Sequence, residues 1–559
     1  MGEHRRGPVA GALVMARRRA RQAWRLLKVR GPSQLQFWFI ALLIGIAAGV
    51  AALGFRLGIS ALQTALYGTD DVMLATHAGQ LPWYWVLVIP IGGGLVVGLL
   101  LHRFTPDGRV RAVADVIEGA ALNNGRVEKR AGLVSALASL ITLSSGGSSG
   151  REGPVVHLAG VISSWVANRI NADGITGRDL LGCAVAAAVS ASFNAPIAGT
   201  IFALEVVLRH YAIHAFAPIA IAAVAGTVVS RLQFGDVTEF SLPGEGMLAF
   251  YVELPAFMIL GLVSGLVAVV LMRSIFWTED AADALQRRTG MPRWLRPALA
   301  GALLGLIAIW FPHIIGVGYE ITSQALTGQL LLWEAIVFCI VKVAAVAITL
   351  GGRMGGGVFS PSLVVGALTG LAFGLIATAV FPEVSGAETL YALAGMGAVA
   401  AAVLGAPIST TLIVFELTGD WQTAIAVMVA VSISTALASR LVDKSFFFTQ
   451  LDRRGVKLSQ GPQAYLLRLV PVARVMRPLG QDEAGIEPRL RILIEEGVYI
   501  DQSATLEAAM PLFESNGVSV IPVISIGEAG TTLHGALYHL DALKAYNRAL
   551  AAVAREEHD

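Results

Sequence analysis

Long apolar segments follow one another along most of the chain, separated by short polar or glycine-rich stretches. Segments 85–101, 255–272 and 331–350 approach or reach the roughly 20 residues that a helix needs to cross a bilayer. Others, such as segment 155–166, are too short to cross. Because short helices at membrane depth are stable only when surrounded by protein, the pattern predicts a large, all-α polytopic bundle that shields its own broken helices.

Composition divides the chain into three zones. Residues 1–34 form an arginine-rich arm, residues 35–445 a membrane body, and residues 456–559 a tail with ordinary charge density. The positive-inside rule places the arm in the cytoplasm, with a nucleic-acid or targeting role as the weaker alternative. Charged residues are 14% of the chain and the net charge is +2, so we expect a lipid bilayer and no nucleic acid as partner.

The membrane body contains one pattern twice. In each half an Ile-Thr-Leu triplet precedes a glycine and a proline, and an Ala-Pro-Ile triplet precedes a glutamate, at matching spacings. The matched positions are Ile141, Gly150 and Pro154 with Ile348, Gly357 and Pro361, and Ala195 and Glu205 with Ala406 and Glu416. We interpret these as two similar halves, residues 35–235 and 245–445. Transporters commonly invert such halves around a site near the membrane midplane.

A glycine- and serine-rich loop, residues 144–154, lies inside the apolar body and leads into a helix predicted to begin near Pro154. Proline suits a first helical turn because its missing N–H is not needed there. The free N–H groups and the peptide dipoles of such a start attract anions. They do so without trapping the anion, as rapid passage requires. We therefore expect anion contacts at Gly150, Arg151 and Gly153.

Glu152 lies within this loop. An ionised carboxylate there would compete with an anion for the same N–H donors, and a protonated one could swing out, so Glu152 is a candidate gate. The alternative is a carboxylate at a helix start that simply pairs with Arg151. Residues 355–361 form a second glycine loop before a helix, at the equivalent place in the repeat. We expect its donors to meet those of the first loop.

Two of these segments carry a specific resemblance. Gly150-Arg-Glu-Gly-Pro154 resembles the GREGP signature of the chloride channel/transporter (CLC) family, and Gly357-Val-Phe-Ser-Pro361 is similar to its GxFxP signature. The resemblance covers residues 35–455 and part of the tail. It implies two inverted-repeat halves of broken and tilted helices, Glu152 as the external gating glutamate, and chloride contacts from the backbone of Val358 and Phe359.

The resemblance also carries expectations about assembly and location. It implies a homodimer with one anion pathway in each subunit and no cofactor. We expect a multi-pass protein of the plasma membrane (the inner membrane of a bacterium), with both termini in the cytoplasm.

Two pore positions depart from the family pattern. Counting back from residues 115–119 puts Arg111 near the family's pore serine, and Phe447 replaces its pore tyrosine. Both hydroxyl donors of the inner pore are therefore missing. A guanidinium at Arg111 would bind anions more strongly; the equal alternative is that its side chain snorkels toward the cytoplasm.

A third departure concerns protons. Exchangers of the family have a second glutamate next to the position of Glu205, and this chain has Val206. Valine cannot carry a proton, so we favour a channel, with a proton-coupled chloride exchanger as the alternative. A fluoride exporter ranks lower, because that branch departs from the proline that Pro154 preserves. The chain shows no catalytic triad or metal-ligand spacing, so we do not expect an enzyme.

Other polar residues of the apolar body receive structural interpretations. We expect His157 to be a packing histidine with satisfied nitrogens rather than a proton relay. Lys342 either adds to the positive field or caps a carbonyl or pairs with Glu334. Glu205 and Glu416 are expected to accept hydrogen bonds from backbone or hydroxyl groups.

The tail is similar to a single degenerate CBS repeat at about residues 495–550. The pattern predicts a helix over 505–515, strands over 518–524 and 533–537, and a helix from about residue 540. Residues 471–494 could be the remnant of a first repeat. Tyr538 stands where a ribose-contacting threonine or serine often occurs, so we favour a dimerising or regulatory α/β module over a nucleotide-binding one.

Overall fold

A computed structural model describes residues 32–211, 213–235, 250–383, 385–456, 470–479, 486–527 and 530–556, together with residues 458 and 467. The basic arm predicted for residues 1–34 lies outside these residues, apart from its last three. The described chain forms two compact units, a helical body that ends at residue 456 and a tail unit after it.

The body consists of helices joined by short turns. The helices of its first half are α1 (Gln34–Tyr67), α2 (Leu74–Gln80), α3 (Trp83–Phe104), α4 (Val113–Leu122), α5 (Lys129–Ser144), α6 (Glu152–Ile170), α7 (Gly174–Phe193), α8 (Pro196–Phe202, continued by the π-helical turn Ala203–Leu208) and α9 (Ile213–Phe234). Those of the second half are α10 (Phe250–Thr289), α11 (Arg296–Trp310), α12 (Tyr319–Leu326), α13 (Leu332–Gly351), α14 (Phe359–Val380), α15 (Glu388–Leu404), α16 (Pro407–Thr418), α17 (Trp421–Leu441) and α18 (Phe446–Arg453). Short 3₁₀ turns lie at Arg293–Leu295 and Pro312–Ile314.

The membrane pattern of the sequence is confirmed. Among the described residues, eight helices are long and apolar enough to cross a bilayer. Shorter apolar helices are packed inside the body: in α15, every residue from Leu390 to Leu404 is buried. A helix that is apolar all round needs such burial, so the short helices are shielded as the sequence predicts.

Local sequence explains where the internal helices begin. Pro196 and Pro407 occupy the first turn of α8 and α16, where proline is favoured. Asp173 caps α7 by accepting from the N–H of Thr176 at 2.8 Å, and Asp420 caps α17 by accepting from the N–H of Thr423 at 2.8 Å. These caps satisfy donors that a helix end would otherwise leave unpaired.

The two halves contact each other reciprocally. Gly150 donates its N–H to the carbonyl of Gly357 at 2.7 Å, and Gly357 donates to the carbonyl of Gly150 at 2.7 Å, as an antiparallel bridge. These two glycines are equivalent in the sequence repeat. Because each glycine donates the same hydrogen bond to its equivalent that it accepts from it, the contact has local two-fold symmetry.

The paired glutamates obey the same symmetry. Glu205 accepts from the N–H groups of Ile408 and Ser409 at 3.0 and 2.8 Å. Glu416 accepts from the N–H groups of Ile197 and Ala198 at 3.0 and 2.7 Å. Each glutamate therefore caps the start of the helix equivalent to its own, in the opposite half. The expectation that both accept structural hydrogen bonds is confirmed, and the halves form an inverted repeat.

The tail unit is a small α/β module. Its elements are the 3₁₀ turn Val472–Arg474, β1 (Arg477–Pro478), α19 (Glu487–Glu495), β2 (Ile500–Asp501), α20 (Leu506–Asn516), β3 (Val520–Gly527), β4 (Gly530–Tyr538) and α21 (His539–Glu556). The sheet order is β1-β4-β3-β2, with β3 and β4 antiparallel and β2 parallel to β3. The predicted helices and strands of a CBS-like tail are present; β3 begins and ends later than the predicted 518–524, and β4 is longer than the predicted 533–537 at both ends.

Candidate functional site

A cavity of about 190 Å³ lies beside the two glycine loops. Its wall combines bare backbone, aromatic rings and charged side chains. The lining residues are Arg109, Val110, Ala112, Val113, Gly153, Ile275, Phe276, Glu279, Asp283, Leu350, Arg353, Gly355, Gly356, Gly357, Val358, Phe359, Phe446, Phe447, Gln450, Arg453 and Arg454. The cavity thus brings together chain segments from both halves of the body.

Backbone conformation and close packing explain the glycines of the second loop. Gly355 and Gly356 have φ values of 146° and 110°, which side-chain-bearing residues rarely adopt. A Cβ at Gly356 would lie 2.1 Å from the Oγ of Ser149, and one at Gly357 would lie 3.0 Å from the backbone nitrogen of Gly153. The loops therefore meet backbone to backbone, and the starts of α6 and α14 are held close together.

Glu152 is the first residue of α6 and its side chain is 1% exposed. Its carboxylate crosses to the other half, where it accepts from the hydroxyl of Ser360 at 2.6 Å and from the N–H of Ser360 at 3.3 Å. Ser360 is the second residue of α14. A carboxylate therefore occupies the N-terminus of a helix, which is where an anion binds most readily.

Arg151 supports this arrangement from outside the cavity. Its Nε lies 3.9 Å from a carboxylate oxygen of Glu152, which is farther than the hydroxyl and the N–H of Ser360 lie from that carboxylate. Its guanidinium donates to the carbonyl of Ser192 at 3.2 Å and lies 5.1 Å from the ring centre of Tyr319. The pairing of Glu152 with Arg151 is therefore present but longer than the bond across the halves.

Aromatic rings pack around the start of α14. The Phe359 ring centre lies 4.8 Å from that of Phe193 and 5.6 Å from that of Phe202. Phe447 is buried and lines the cavity with a ring that has no hydroxyl. Of the predicted anion-binding residues, Gly153, Val358, Phe359 and Phe447 line the cavity, whereas Gly150 and Arg151 do not.

Arg111 is not part of the cavity wall. Its guanidinium forms ion pairs with Asp107 at 2.7 Å, Glu128 at 3.1 Å and Asp115 at 3.7 Å. Burial alone would raise the pKa of Asp107, but the Arg111 guanidinium holds this pKa below its ordinary value. The next residue, Ala112, lines the cavity instead. The structure thus places the Arg111 guanidinium among three carboxylates, outside the cavity wall.

Lys342 and His157 are both buried, but they differ in whether their side-chain nitrogens have hydrogen-bond partners among the described residues. Lys342 donates to the carbonyls of Ile314 and Gly316 at 3.3 and 3.2 Å, which confirms the carbonyl-capping alternative; Glu334 instead accepts from the N–H of Leu331. His157 is 1% exposed, and neither ring nitrogen has a hydrogen-bond partner among the described residues. The predicted burial of His157 in the packed body is confirmed, whereas the predicted hydrogen-bond partners of its ring are not found among the described residues.

Sequence reasoning missed several residues of the site. Ser360 lies at a variable position of the second signature, so nothing marked it as the partner of Glu152. Arg109 and Arg353 belong to irregular loops, which have no period from which a side-chain direction could be read. Arg453 and Arg454 follow Phe447 as a charged pair in the sequence, but nothing in the sequence places them in the cavity wall.

Comparisons with known proteins agree with this architecture. Residues 93–439, more than half of the chain, match the voltage-gated chloride channel family. A ClcB-like chloride channel protein of Ralstonia nicotianae is 33% identical over 398 residues, which cover 70% of this chain and 91% of that protein.

Solved structures share the fold. A slow cyanobacterial Cl⁻/H⁺ antiporter matches 76% of this chain and 99% of its own with a TM-score of 0.66 at 22% identity. A eukaryotic CLC transporter matches 93% of this chain and 98% of its own with a TM-score of 0.65 at 17% identity. With the family match and the crossed glycine loops together, the chain belongs to the voltage-gated chloride channel (CLC) family of multi-pass membrane proteins.

Proposed function

We propose that this protein conducts chloride or a similar small anion across the bilayer as a channel, with Glu152 as its gate. The observation that carries the proposal is the docking of the Glu152 carboxylate on Ser360 at the start of α14. The carboxylate uses donors that a chloride ion would also use, so carboxylate and chloride compete for one place.

Protonation changes that competition. A hydrogen bond to a charged group contributes about 1.5–3 kcal/mol, more than one to a neutral group. The ionised carboxylate is therefore held by Ser360 more firmly than the protonated one. We infer that protonation frees the side chain and lets an anion take its place, with the backbone of Val358 and Phe359 and the wall at Gly153 and Phe447 completing the contacts.

Passive conduction is supported by Val206. This residue is buried beside Glu205, and its side chain cannot carry a proton out of the site. Glu205 is itself committed to the N–H groups and hydroxyl at the start of α16. The described residues thus offer no second carboxylate at the place where the family's exchangers have one.

A proton-coupled chloride exchanger is the alternative, and one observation favours it. His157 lies on the same helix as Glu152 and its ring nitrogens have no partners among the described residues, so a proton-carrying role for the ring would not require breaking a bond to a described protein group. The similar fold of a Cl⁻/H⁺ antiporter is compatible with this alternative. A fluoride exporter has less support, because Pro154 keeps the signature proline.

The reversal potential of the reconstituted protein under a pH gradient separates the two functions. The chloride gradient is kept the same while the pH gradient is varied. The current of a channel then reverses at the chloride equilibrium potential at every pH gradient, whereas the reversal potential of an exchanger shifts with the pH gradient. A shift would replace the channel by the exchanger.

Glu152→Gln tests the gate in either case. The amide cannot ionise, so we expect anion flux that stays open and does not depend on external pH. An unchanged pH dependence of flux in this variant would remove Glu152 from the gating role. Glu320→Gln is a matched control, because Glu320 instead accepts from the N–H of Ala75.

We further propose a homodimer in the plasma (bacterial inner) membrane, with both termini cytoplasmic and the CBS-like tail as a dimerising or regulatory module. Family membership supports this assembly and location. Molar mass in detergent by light scattering tests the dimer, and protease access in right-side-out and inverted vesicles tests the orientation of the termini.

A further inference from the structure

A second, larger cavity of about 860 Å³ adjoins the cavity beside the glycine loops. We call the larger one the outer cavity and the smaller one the inner cavity. The two share Arg109, Asp283, Arg353, Arg453 and Arg454 in their walls, so the outer cavity lies at the mouth of the inner one. Its volume falls in the range of about 300–1,000 Å³ that is typical of small-molecule sites, whereas the inner cavity is too small for that class.

Arginines dominate the wall of this outer cavity. It contains six arginines and two aspartates and no lysine, a formal excess of four positive charges. The arginines come from four separate parts of the chain: Arg109 before α4, Arg287 and Arg293 around the turn between α10 and α11, Arg353 after α13, and Arg453 and Arg454 at the end of α18. A fold that gathers guanidinium groups from four segments concentrates positive potential in one place.

Carboxylates pair with three of the six arginines: Asp283 with Arg353, Asp280 and Glu279 with Arg453, and Asp115 with Arg454. Asp283 is shared between the guanidinium groups of Arg296 and Arg353, and Asp107 is held by Arg111. The side chains of Arg109, Arg287 and Arg293 form no ion pair or hydrogen bond with any described residue. Three guanidinium groups around one cavity thus have unused donors.

The backbone conformation of Arg353 also favours a ligand site in this cavity. Its φ is 60°, a left-handed conformation that is uncommon for a residue with a long side chain. Such conformations are costly and cluster at ligand sites. Here the strained residue puts its guanidinium into the wall shared by both cavities.

We propose that the outer cavity binds a small polyphosphate, a ligand with at least two linked or neighbouring phosphate groups, which closes the mouth of the inner cavity. Guanidinium groups bind phosphate through paired, parallel hydrogen bonds, and a single chloride ion could not satisfy donors spread over a cavity of this volume. The source is a soluble polyphosphate or a phosphorylated lipid headgroup, which share this chemistry. The block of flux rests on the proposed function; the binding does not.

Binding of inorganic triphosphate to the purified full-length protein, measured by calorimetry in detergent, is the first test. Arg287 and Arg293 line only the outer cavity, so the double variant R287Q/R293Q should bind at least about ten-fold more weakly, because it loses charge-assisted hydrogen bonds. Arg288→Gln is the matched control: Arg288 is exposed and adjacent in sequence but does not line the cavity. R287K/R293K, which keeps the charge but not the paired geometry, should fall between the two.

The second test is chloride efflux from vesicles of neutral lipid with triphosphate on both sides, compared for each variant with its own efflux without triphosphate. We expect inhibition for the wild type and R288Q and little for R287Q/R293Q. Adding a phosphoinositide to the vesicles instead identifies the source: inhibition by the lipid with no effect of triphosphate assigns the site to a headgroup.

The binding and flux results fail separately. Absence of saturable binding of both triphosphate and phosphoinositide, or equal affinities of R287Q/R293Q and R288Q, would overturn the polyphosphate site. Binding without any chloride efflux from the wild type would instead overturn the proposed function and leave the site standing.

Discussion

Ser360 provides a sharp test of the gate, because its hydroxyl is the closest donor to Glu152. The Oγ donates to the carboxylate at 2.6 Å, and both residues are 1% exposed. Ser360→Ala removes this donor and leaves the N–H of residue 360 in place. A charge-assisted hydrogen bond of this kind contributes about 1.5–3 kcal/mol.

The expected effect on flux follows from that energy. Since about 1.4 kcal/mol is a factor of ten, the balance between the docked and undocked carboxylate should move by roughly 10- to 100-fold toward undocked. We therefore expect S360A to conduct at a pH about one to two units higher than the wild type, with the direction set by the loss of a bond made only to the docked, ionised gate.

Chloride efflux from proteoliposomes over a pH series measures the shift. Ser362→Ala is the control, since Ser362 is also buried in α14 but donates to the carbonyl of Phe359 at 2.6 Å. In a double-mutant cycle, S360A should add nothing to E152Q, because the partner carboxylate is gone. A pH profile of S360A that matches those of the wild type and S362A would refute the gate mechanism.

Three further predictions concern stability. Gly356→Ala should destabilise the body by about 1–3 kcal/mol, because φ is 110° and the new Cβ would meet the Oγ of Ser149; thermal unfolding in detergent checks this against Gly92→Ala, where a Cβ meets nothing within 4 Å, and equal melting temperatures would contradict it. His157→Leu should stabilise the fold by about 1 kcal/mol by removing unpartnered nitrogens, and a clear loss of stability would show that water or another ligand satisfies the ring. Arg111 holds the pKa of Asp107 low, so the pair stabilises the fold at neutral pH and this contribution is lost as the pH falls below 3.8 through the lowered pKa. Arg111→Gln should therefore weaken the acid dependence of unfolding without changing anion affinity measured by calorimetry, whereas a large loss of affinity would return Arg111 to the anion site.

The large features of this fold could be predicted because they depend on patterns that physics makes regular. Apolar runs identified the spanning helices, and the spacing of Gly150 and Gly357 in the repeat identified the two loops. The repeat predicted that the two loops meet, but it could not reveal that these two glycines bond to each other, since a sequence match carries no orientation.

Side-chain directions in irregular segments could not be predicted. Residues 105–112 have no helical or strand period, so a shift of one residue exchanged Ala112 for Arg111 in the cavity wall. His157 was placed correctly on a helix, but periodicity cannot count the hydrogen-bond partners of a ring. The outer arginines escaped notice because they are far apart in sequence and meet only in the folded chain.

Glu205 and Glu416 each bond to the opposite half of the body, and this has a consequence for biosynthesis. The N–H groups of Ile197 and Ala198 donate to the carboxylate of Glu416, which is 219 residues after Ile197. When the first half has been synthesised, the start of α8 therefore still lacks its hydrogen-bond acceptor. Contacts of such long range form late in folding. Neither half satisfies all of its own helix starts, and a product that ends before Glu416 would leave the N–H groups of Ile197 and Ala198 without their carboxylate.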